Sequence, residues 1–387
     1  MVDVDSGSFL IIVAAGALAA LAGGLLPGWA QVPTVVIEVL AGILIGPDLL
    51  GLAEPDRFIE FFASLGLGML FFFAGYEIDF VRIRGTPLRL GALGWLMSLA
   101  LAFALAGLLS LTGLVISFVF TGAALATTAI GTLLPILRDA DTLRSRLGTH
   151  LLAAGAVGEF GPVLLITFVF STKSTVSKAL ILLLFIAVAV VAALVAVRGV
   201  GRGWALFERT LEASGQPAIR FAVVVVFACS ALAASLGLDV LLGGFVAGVI
   251  VRLALQGREV RIFESKLTAL GYGFLIPFFF IVSGLQFNLD ALLSSPGRLL
   301  EVPLFLALFL FVRGVPALVV WRGVLDRSER SALALFSATQ LPLVVAITTI
   351  AVGEGHMRSA TAASLVGAAI LSTMIFPVLA LRVPRVG

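Results

Sequence analysis

Charged residues are scarce in this chain. Asp, Glu, Lys and Arg make up 12% of its 387 residues, whereas 60% of the residues are hydrophobic. A soluble globular protein has about 25% charged residues, and half that amount cannot cover a surface that faces water. The composition therefore excludes a soluble enzyme, a disordered protein and a nucleic-acid-binding domain. It indicates a protein whose main surroundings are membrane lipid.

Cysteine and clusters of metal ligands are also lacking. Cys229 is the only cysteine, so neither an intrachain disulfide nor a cysteine-based metal site is possible. The sequence contains no zinc-spaced group of ligands, no glycine-rich phosphate loop and no nucleophile motif. We therefore expect a protein that is not an enzyme and that has no cofactor.

Long apolar runs are what the chain has in place of charge. A membrane-spanning helix needs roughly 20 mostly apolar residues, and 13 runs meet this requirement. The runs are apolar throughout instead of alternating, which argues against a β-barrel. The predicted spans are residues 8–26, 32–50, 58–76, 88–112, 115–138, 147–170, 177–198, 218–236, 239–256, 267–287, 300–321, 331–353 and 359–381.

Basic residues are distributed unevenly between these spans. With the N-terminus outside, 19 of the 25 basic residues lie in cytoplasmic connections or the C-terminal tail, five lie outside, and one, Arg313, lies within a span. Cytoplasmic loops of membrane proteins carry the excess of Lys and Arg. The distribution predicts a multi-pass protein of the plasma (inner) membrane, with its N-terminus outside and its C-terminus in the cytoplasm.

Short motifs recur in the same order in the two halves of the chain, at offsets of about 210 residues. The shift between the repeats is seven spans, an odd number, so the second repeat must cross the membrane in the opposite direction. Inverted repeats are typical of secondary transporters. The matching motifs are Gly75 and Gly284, Ala41-Gly42 and Ala247-Gly248, and Ala126-Thr127-Thr128 and Ala338-Thr339-Gln340.

Glu159 lies in the middle of a predicted span. A carboxylate there is costly unless it is protonated, paired or bound to a cation, and a proton-coupled carrier needs these same states. We predict that Glu159 binds the proton and the cation; the alternative is a structural ion pair with Arg313. Because a guanidinium keeps its charge, we interpret Arg313 as a fixed cation whose counter-charge is Glu159 or Glu38.

Helix-breaking residues occupy matching positions in the fifth and twelfth spans. Thr127 and Thr128 lie at mid-membrane, and Thr339 and Gln340 precede Pro342, which lacks a backbone N–H. Two broken helices at corresponding positions indicate a transport site. Their carbonyl and hydroxyl oxygens are hard ligands that suit an alkali cation. The alternative is threonine side chains bonded to their own helix and a mild proline kink.

Three further ionisable residues give weaker signals. Glu38, within the second span, is predicted to be either a second relay carboxylate or a buried structural acid. His150 and His356 lie near predicted span ends. Either imidazole could titrate near neutrality, but a solvated side chain without a special role is the expectation at such a position.

Several motifs together point to a known family. They are the Glu-x-x-Ala-Gly-Ile-x-x-Gly-Pro segment at 38–47, the Phe-x-x-Gly-x-Glu-Ile-Asp end of the third span, the threonine-rich fifth span and the acid of the sixth. In this order they resemble bacterial monovalent cation:proton antiporters of the antiporter-2 family, along nearly the whole chain.

The resemblance implies an all-α polytopic fold of two inverted six-helix repeats with discontinuous crossing helices, and a homodimer. It implies a panel part (1–87 and 218–298), an ion-transporting core (88–170 and 299–387) and a linker helix (171–217). It places the cation, Na⁺ or K⁺, on Glu159, with the two breaks nearby. It makes Arg313 the match for a basic residue that is Lys in charge-moving relatives.

The chain departs from that family in two respects. Many relatives have two acids, or a polar residue followed by Asp, where this chain has Gly158-Glu159. Many potassium-efflux relatives append a cytoplasmic nucleotide-binding domain, whereas this sequence stops just past its last span, so we expect no soluble regulatory domain.

These features predict a secondary transporter in which a proton and a monovalent cation compete for Glu159. Only a neutralised core crosses the apolar barrier at low cost. A single acid beside Arg313 favours electroneutral 1:1 exchange. The alternatives are a sodium-coupled organic-anion symporter on a similar fold, an ion channel or membrane sensor module, and, least favoured, a membrane-embedded hydrolase.

Overall fold

The computed structural model describes most of the chain, and the regular structure of the described part is helical. The predicted span 177–198 is only partly described, and the other predicted spans each coincide with a helix or with consecutive helices, which confirms the all-α polytopic fold. Most of the predicted linker, 171–217, lies outside the described residues. Those residues are 5–25, 32–78, 80–143, 145–170, 183–192, 194–195, 198, 215–236, 238, 240–255, 260–293 and 296–383.

The helices are numbered in chain order within these ranges. Eight helical stretches are long and apolar enough to cross a membrane, and four shorter ones are also apolar. The helices are α1 (Ser6–Leu25), α2 (Thr34–Ile45), α3 (Arg57–Tyr76), α4 (Phe80–Ile83), α5 (Thr86–Leu111), α6 (Phe118–Leu125), α7 (Ile130–Asp139), α8 (Arg146–Phe170), α9 (Leu183–Ala192), α10 (Pro217–Ser235), α11 (Val240–Ala254), α12 (Arg261–Leu270), α13 (Ile276–Leu285, after a π-helical turn at Gly271–Leu275), α14 (Leu289–Leu293), α15 (Pro296–Val320), α16 (Arg327–Ser337), α17 (Pro342–Gly353) and α18 (Ser359–Arg382).

The two helices of the twelfth span each have their own start signal. At the start of α16, the Asp326 carboxylate accepts the Glu329 N–H at 2.8 Å, and the Glu329 carboxylate accepts the Asp326 N–H at 3.1 Å. This reciprocal capping satisfies two N–H groups that have no partner within the helix. α17 begins at Pro342, whose missing N–H costs nothing in a first turn. The sequence therefore starts a new helix within one span.

The chain divides into two compact units. The first comprises residues 1–60, 80–162 and 280–387, and the second comprises 61–79 and 163–279. All the residues of the candidate site described below belong to the first unit. The predicted partition into panel, core and linker parts stays a prediction.

The glycines of the repeated motifs lie at close helix contacts. In the first unit, a Cβ on Gly42 of α2 would lie 2.9 Å from the Cα of Gly284 on α13. In the second unit, a Cβ on Gly248 of α11 would lie 2.7 Å from the backbone nitrogen of Tyr76 on α3, next to Gly75. Small residues let helices approach closely in membranes. The motifs that reveal the repeat thus mark one such contact in each unit, and in each contact the two repeats supply one glycine motif apiece.

Candidate functional site

Two broken spans meet within the first unit, and the contact between their two breaks is called the crossing. The break in the fifth span covers residues 126–129, between α6 and α7, and the break in the twelfth covers 338–341, between α16 and α17. The Ala129 N–H donates to the Thr339 carbonyl oxygen at 2.9 Å, so one break satisfies the backbone of the other. Irregular backbone is tolerated at this depth only where protein or a cavity satisfies it.

Side chains add further bonds between the breaks. Thr127 Oγ1 lies 2.9 Å from Gln340 Oε1, and Gln340 Nε2 donates to the Leu125 carbonyl at 3.1 Å. The Thr128 hydroxyl donates to the Ser337 carbonyl at 2.8 Å. Thr127, Thr128 and Gln340 are each at most 1% exposed. The carbonyls freed at the ends of α6 and α16 are therefore held by residues of the opposite break.

Two hydroxyls of α18 fix the second break. The Gln340 N–H donates to Ser372 Oγ at 3.0 Å. In return, the Gln340 carbonyl lies 2.9 Å from Ser372 Oγ and 3.1 Å from Thr373 Oγ1. Ser372 and Thr373 thus satisfy both the N–H and the carbonyl of Gln340.

Glu159 faces the beginning of α7. Its Oε1 accepts the backbone N–H of Ile130 at 2.8 Å and that of Gly131 at 3.4 Å. The side chain is buried, at 6% exposure. The first N–H groups of a helix have no partner within the helix, and its N-terminus carries about half a positive charge. The break in the fifth span thus creates an anion-binding position at mid-membrane, and Glu159 occupies it.

Arg313 lies at a helix C-terminus, whose partial charge is opposite to that of the N-terminus beside Glu159. Its Nε donates to Thr128 Oγ1 at 2.9 Å and to the Ser337 carbonyl at 3.4 Å, at the end of α16. Its Nη1 donates to Ser98 Oγ at 3.0 Å, and its Nη2 to the Ala154 carbonyl at 3.4 Å. A helix C-terminus favours a cation. The guanidinium, 3% exposed, is held by neutral oxygens of four residues.

Glycines of α8 make room for large side chains beside Glu159. A Cβ on Gly158 would lie 2.8 Å from Arg313 Nη2, closer than real Cβ contacts allow. A Cβ on Gly161 would overlap the ring of Trp95, whose Nε1–H donates to the Ala126 carbonyl at 3.2 Å. Glycine at position 158 therefore leaves the space that Arg313 and Thr128 occupy.

The structure brings six of the seven predicted site residues together. Glu159, Thr127, Thr128, Thr339, Gln340 and Arg313 all belong to the crossing or contact it. The hydroxyl of Thr339 bonds its own helix, at 3.3 Å from the Leu335 carbonyl, so Thr339 contributes its carbonyl to the crossing. Glu38 lies on α2, 5% exposed, and the described hydrogen bonds of Arg313 go to other residues. The functions of all seven residues stay predictions.

A cavity of 330 Å³ lies beside the second break, between the ends of α13, α17 and α18. Gln286 and Ser359 at its mouth are exposed, whereas Val345, Thr348 and Val366 on its walls are buried. Val345 is five residues past Gln340 in the chain. The cavity therefore extends from exposed residues at its mouth to buried residues of α17 and α18.

The chain was compared with known proteins. A family described as "sodium/hydrogen exchanger, transmembrane" matches residues 16–381. The chain belongs to this family. Its membership agrees with the prediction of a multi-pass transporter and with the prediction that the chain is not an enzyme.

Individual relatives cover most of this exchanger-family chain. It is 26% identical over 364 residues to the putative Na⁺/H⁺ antiporter YjbQ of Bacillus subtilis, covering 89% of this chain and 57% of YjbQ. It is 24% identical to the probable Na⁺/H⁺ antiporter 3 of Methanocaldococcus jannaschii, covering 90% and 89% of the two chains. The structure of the sodium proton antiporter MjNhaP1 of the same archaeon matches with a TM-score of 0.61 at 17% identity, covering 97% and 96%. This last likeness confirms the fold.

Sequence reasoning missed several partners within the exchanger-family site. Ser98, Ser372 and Thr373 are polar residues inside predicted spans, which is a signal that was available. The N–H groups of Ile130 and Gly131 carry no sequence signal, because any residue at the start of α7 would supply them. Their role depends on where the break ends.

Proposed function

We propose that this chain is a secondary transporter of the plasma membrane that exchanges Na⁺ or K⁺ for protons. The observation that carries the proposal is the Glu159 carboxylate, buried at the N-terminus of α7 beside the crossing. Membership of the sodium/hydrogen exchanger family supports the reaction class. As the sequence resemblance implied, we expect it to act as a homodimer.

The proposed reaction is a competition for Glu159. A proton would bind a carboxylate oxygen, and a monovalent cation would bind the same oxygens after the proton leaves. Arg313 takes no part in the exchange, because its donors are engaged by Thr128, Ser98 and backbone carbonyls, and a guanidinium does not deprotonate in proteins. Its role is to supply a constant positive charge at the end of α16.

Oxygen atoms around the crossing suit a hard cation. Thr127 Oγ1 and Gln340 Oε1 lie 2.9 Å apart, and the end of α6 contributes the Leu125 and Ala124 carbonyls close to them. Alkali cations prefer such neutral and anionic oxygens. In this proposal the cation contacts Glu159 and receives further ligands from the crossing.

The cavity beside α17 would supply access from one side of the membrane. In the predicted topology its mouth opens outside, because Gly353 and Ser359 flank the outer connection between α17 and α18. Its walls contain serine, threonine and amide side chains, whose oxygens can replace part of the hydration shell of a cation. Buried Leu341, Val345 and Val366 would close the inner end in the conformation described here.

The organic-anion symporter is less consistent with this cavity. A solute carboxylate is usually bound by a basic side chain or by helix N-termini. The residues that line the described cavity include no Lys and no Arg. Uptake of a labelled organic anion driven by Na⁺ would favour that alternative.

The proposal is tested by proton flux in everted vesicles. Addition of Na⁺ or K⁺ to vesicles that hold a proton gradient should dissipate the gradient in the wild type. Glu159→Gln should abolish this response to both ions, because an amide neither releases a proton nor balances a cation. Glu354→Gln, at an exposed acid just after α17, is the matched control and should transport normally.

Cation-dependent proton flux that persists in Glu159→Gln would refute the site assignment. The stoichiometry has a separate test in proteoliposomes. Transport that generates a membrane potential would refute the electroneutral 1:1 exchange while leaving the site in place.

A further inference from the structure

A buried hydrogen bond joins the helix of Glu159 to the helix of Arg313. The indole Nε1–H of Trp321, at the end of α15, donates to Nδ1 of His150 on α8 at 3.1 Å. Trp321 is 2% exposed and His150 is 5% exposed. The bond therefore links the two elements that bring opposite charges to the crossing.

The sequence-based expectation of a solvated His150 is wrong. α8 begins at Arg146, so His150 lies one turn inside the helix. Its neighbours Leu147 and Leu151 belong to the same buried apolar cluster as Trp321. A position near a predicted span end therefore does not expose this imidazole, because α15 and its connection to α16 cover it.

The ring of Trp321 also contacts a third helix of the site. A Cβ on Gly94 of α5 would lie 2.7 Å from that ring, so glycine is needed for the ring to fit. One turn further along α5, Ser98 accepts the hydrogen bond from Arg313. Trp321 thus fits between α5 and α8 about 12 Å from Arg313 along α15, at 1.5 Å per residue. Its contacts fix the relative register of three helices.

The protonation state of His150 is determined by this geometry. An imidazole nitrogen that accepts an N–H carries no proton, so His150 is neutral with its proton on Nε2. An imidazolium has a proton on both nitrogens. Nδ1–H would then face Nε1–H of Trp321, and two donors cannot bond each other. Protonation therefore requires the ring or the helix to move.

We propose that His150 is a positioning residue whose neutral form holds α8 and α15 in the register needed for exchange, and whose protonation releases that register and slows transport. The proposal rests on the exchange activity proposed above. It assigns no contact with the transported ions to His150. His150 would act through Trp321 and the helices that carry Glu159 and Arg313.

The elements that surround His150 also carry arginines and a glutamate. Arg146, one turn earlier on α8, pairs with Glu329 of α16 at 2.7 Å. Arg322 follows Trp321 in the chain, and Arg89 lies on α5 one turn before Gly94. Arginine and glutamate side chains in general keep their charge between about pH 6 and 8, whereas imidazole changes charge there. The pH dependence would therefore come from His150.

The test is the pH dependence of exchange in proteoliposomes at a saturating concentration of the transported cation. Competition at Glu159 moves to lower pH as the cation concentration rises, whereas a limit imposed by His150 does not. The wild type should therefore keep an acid-side decline of about tenfold per pH unit, as expected for one titrating group. His150→Asn should remain active and lose this decline, because its Oδ1 lies where Nδ1 lies in histidine and accepts the indole N–H without titrating.

Trp321→Phe provides an independent variant. It removes the indole N–H, so the register should be weakened at every pH, and exchange should be slower than in the wild type even at alkaline pH, without the acid-side decline. An unchanged acid-side decline in both variants would overturn the proposal, as would a wild type with no such decline. A folded His150→Asn that is inactive at every pH would also overturn it. A wild type that exchanges no ions at all would instead refute the proposed function.

Discussion

Gly158→Ala is the smallest change that should separate Arg313 from its site. The added Cβ would lie 2.8 Å from Arg313 Nη2, 2.9 Å from Thr128 Oγ1 and 3.0 Å from Thr128 Cβ. Ordinary contacts begin at 3.4 Å, so both neighbours must withdraw by about 0.5 Å. Overpacking of this kind costs about 1–3 kcal/mol, and a lost hydrogen bond to a charged group costs about 1.5–3 kcal/mol.

The expected result is a loss of both stability and transport. Alanine gains up to about 1 kcal/mol in helix propensity over glycine, so the net loss of stability should be about 1.5–5 kcal/mol. If the displaced guanidinium weakens the transport-competent state by the same amount, exchange should fall by about tenfold or more, since each 1.36 kcal/mol is a factor of ten. Stability is measured by thermal unfolding in detergent, and exchange by proton flux in proteoliposomes.

Gly314→Ala is the matched control, on α15 next to Arg313. A Cβ there would meet Leu310 Cδ1 at 3.4 Å and the Ala334 Cβ at 3.6 Å, which are ordinary contacts. This variant should be as stable and as active as the wild type, or more stable by up to about 1 kcal/mol. Normal exchange in Gly158→Ala would contradict the argument that Gly158 is required by Arg313. Equal damage in the control would show that any alanine near Arg313 is harmful.

Two further variants address the site and its access. Ser98→Ala removes the acceptor of Arg313 Nη1 and should cost about 1.5–3 kcal/mol of stability and most of the exchange. Ser331→Ala, at a partly exposed serine on α16, should change neither stability nor exchange. Equal results for the two variants would contradict the role of Ser98. With Cys229 replaced by serine, Thr349→Cys, at an exposed position on the cavity wall, should react with a water-soluble thiol reagent added from outside, and the reaction should block exchange. Thr361→Cys, 1% exposed and not among the cavity residues, should stay unmodified, and an unreactive Thr349→Cys would contradict the access route.

The sequence could predict those parts of the site that would cost much free energy if they were left uncompensated in lipid. Glu159 and Arg313 were identifiable because a charge inside a span must be compensated. The breaks were identifiable because Pro342 and clustered threonines disfavour an uninterrupted helix. The repeat was identifiable because the glycines at close helix contacts cannot be replaced by larger residues. Each of these signals comes from a local constraint that does not depend on the neighbouring helices.

The parts that sequence could not predict depend on how the helices are rotated against each other. His150 was expected to be solvated but is covered by Trp321. Glu301 lies at the start of the predicted span 300–321, where charge is usually cheap, but it is 4% exposed and pairs with Arg298 at 2.6 Å. In both cases the residue lies in the first two turns of its helix, and the neighbouring helix decides whether water reaches it. Periodicity does not contain that information.

At matching positions of the inverted repeat, one repeat has a hydroxyl side chain where the other has a charged one. Ser372, 213 residues after Glu159, bonds the second break as Glu159 bonds the first. Arg313 and Ser98, 215 residues apart, bond each other from matching helices. One repeat thus supplies the acid and the other supplies the base, each at a helix end of suitable polarity. In the proposed competition at Glu159, the proton-loaded and cation-loaded forms would carry the same net charge, because Arg313 stays charged in both. Such an exchange would move one proton for one cation and no net charge across the membrane.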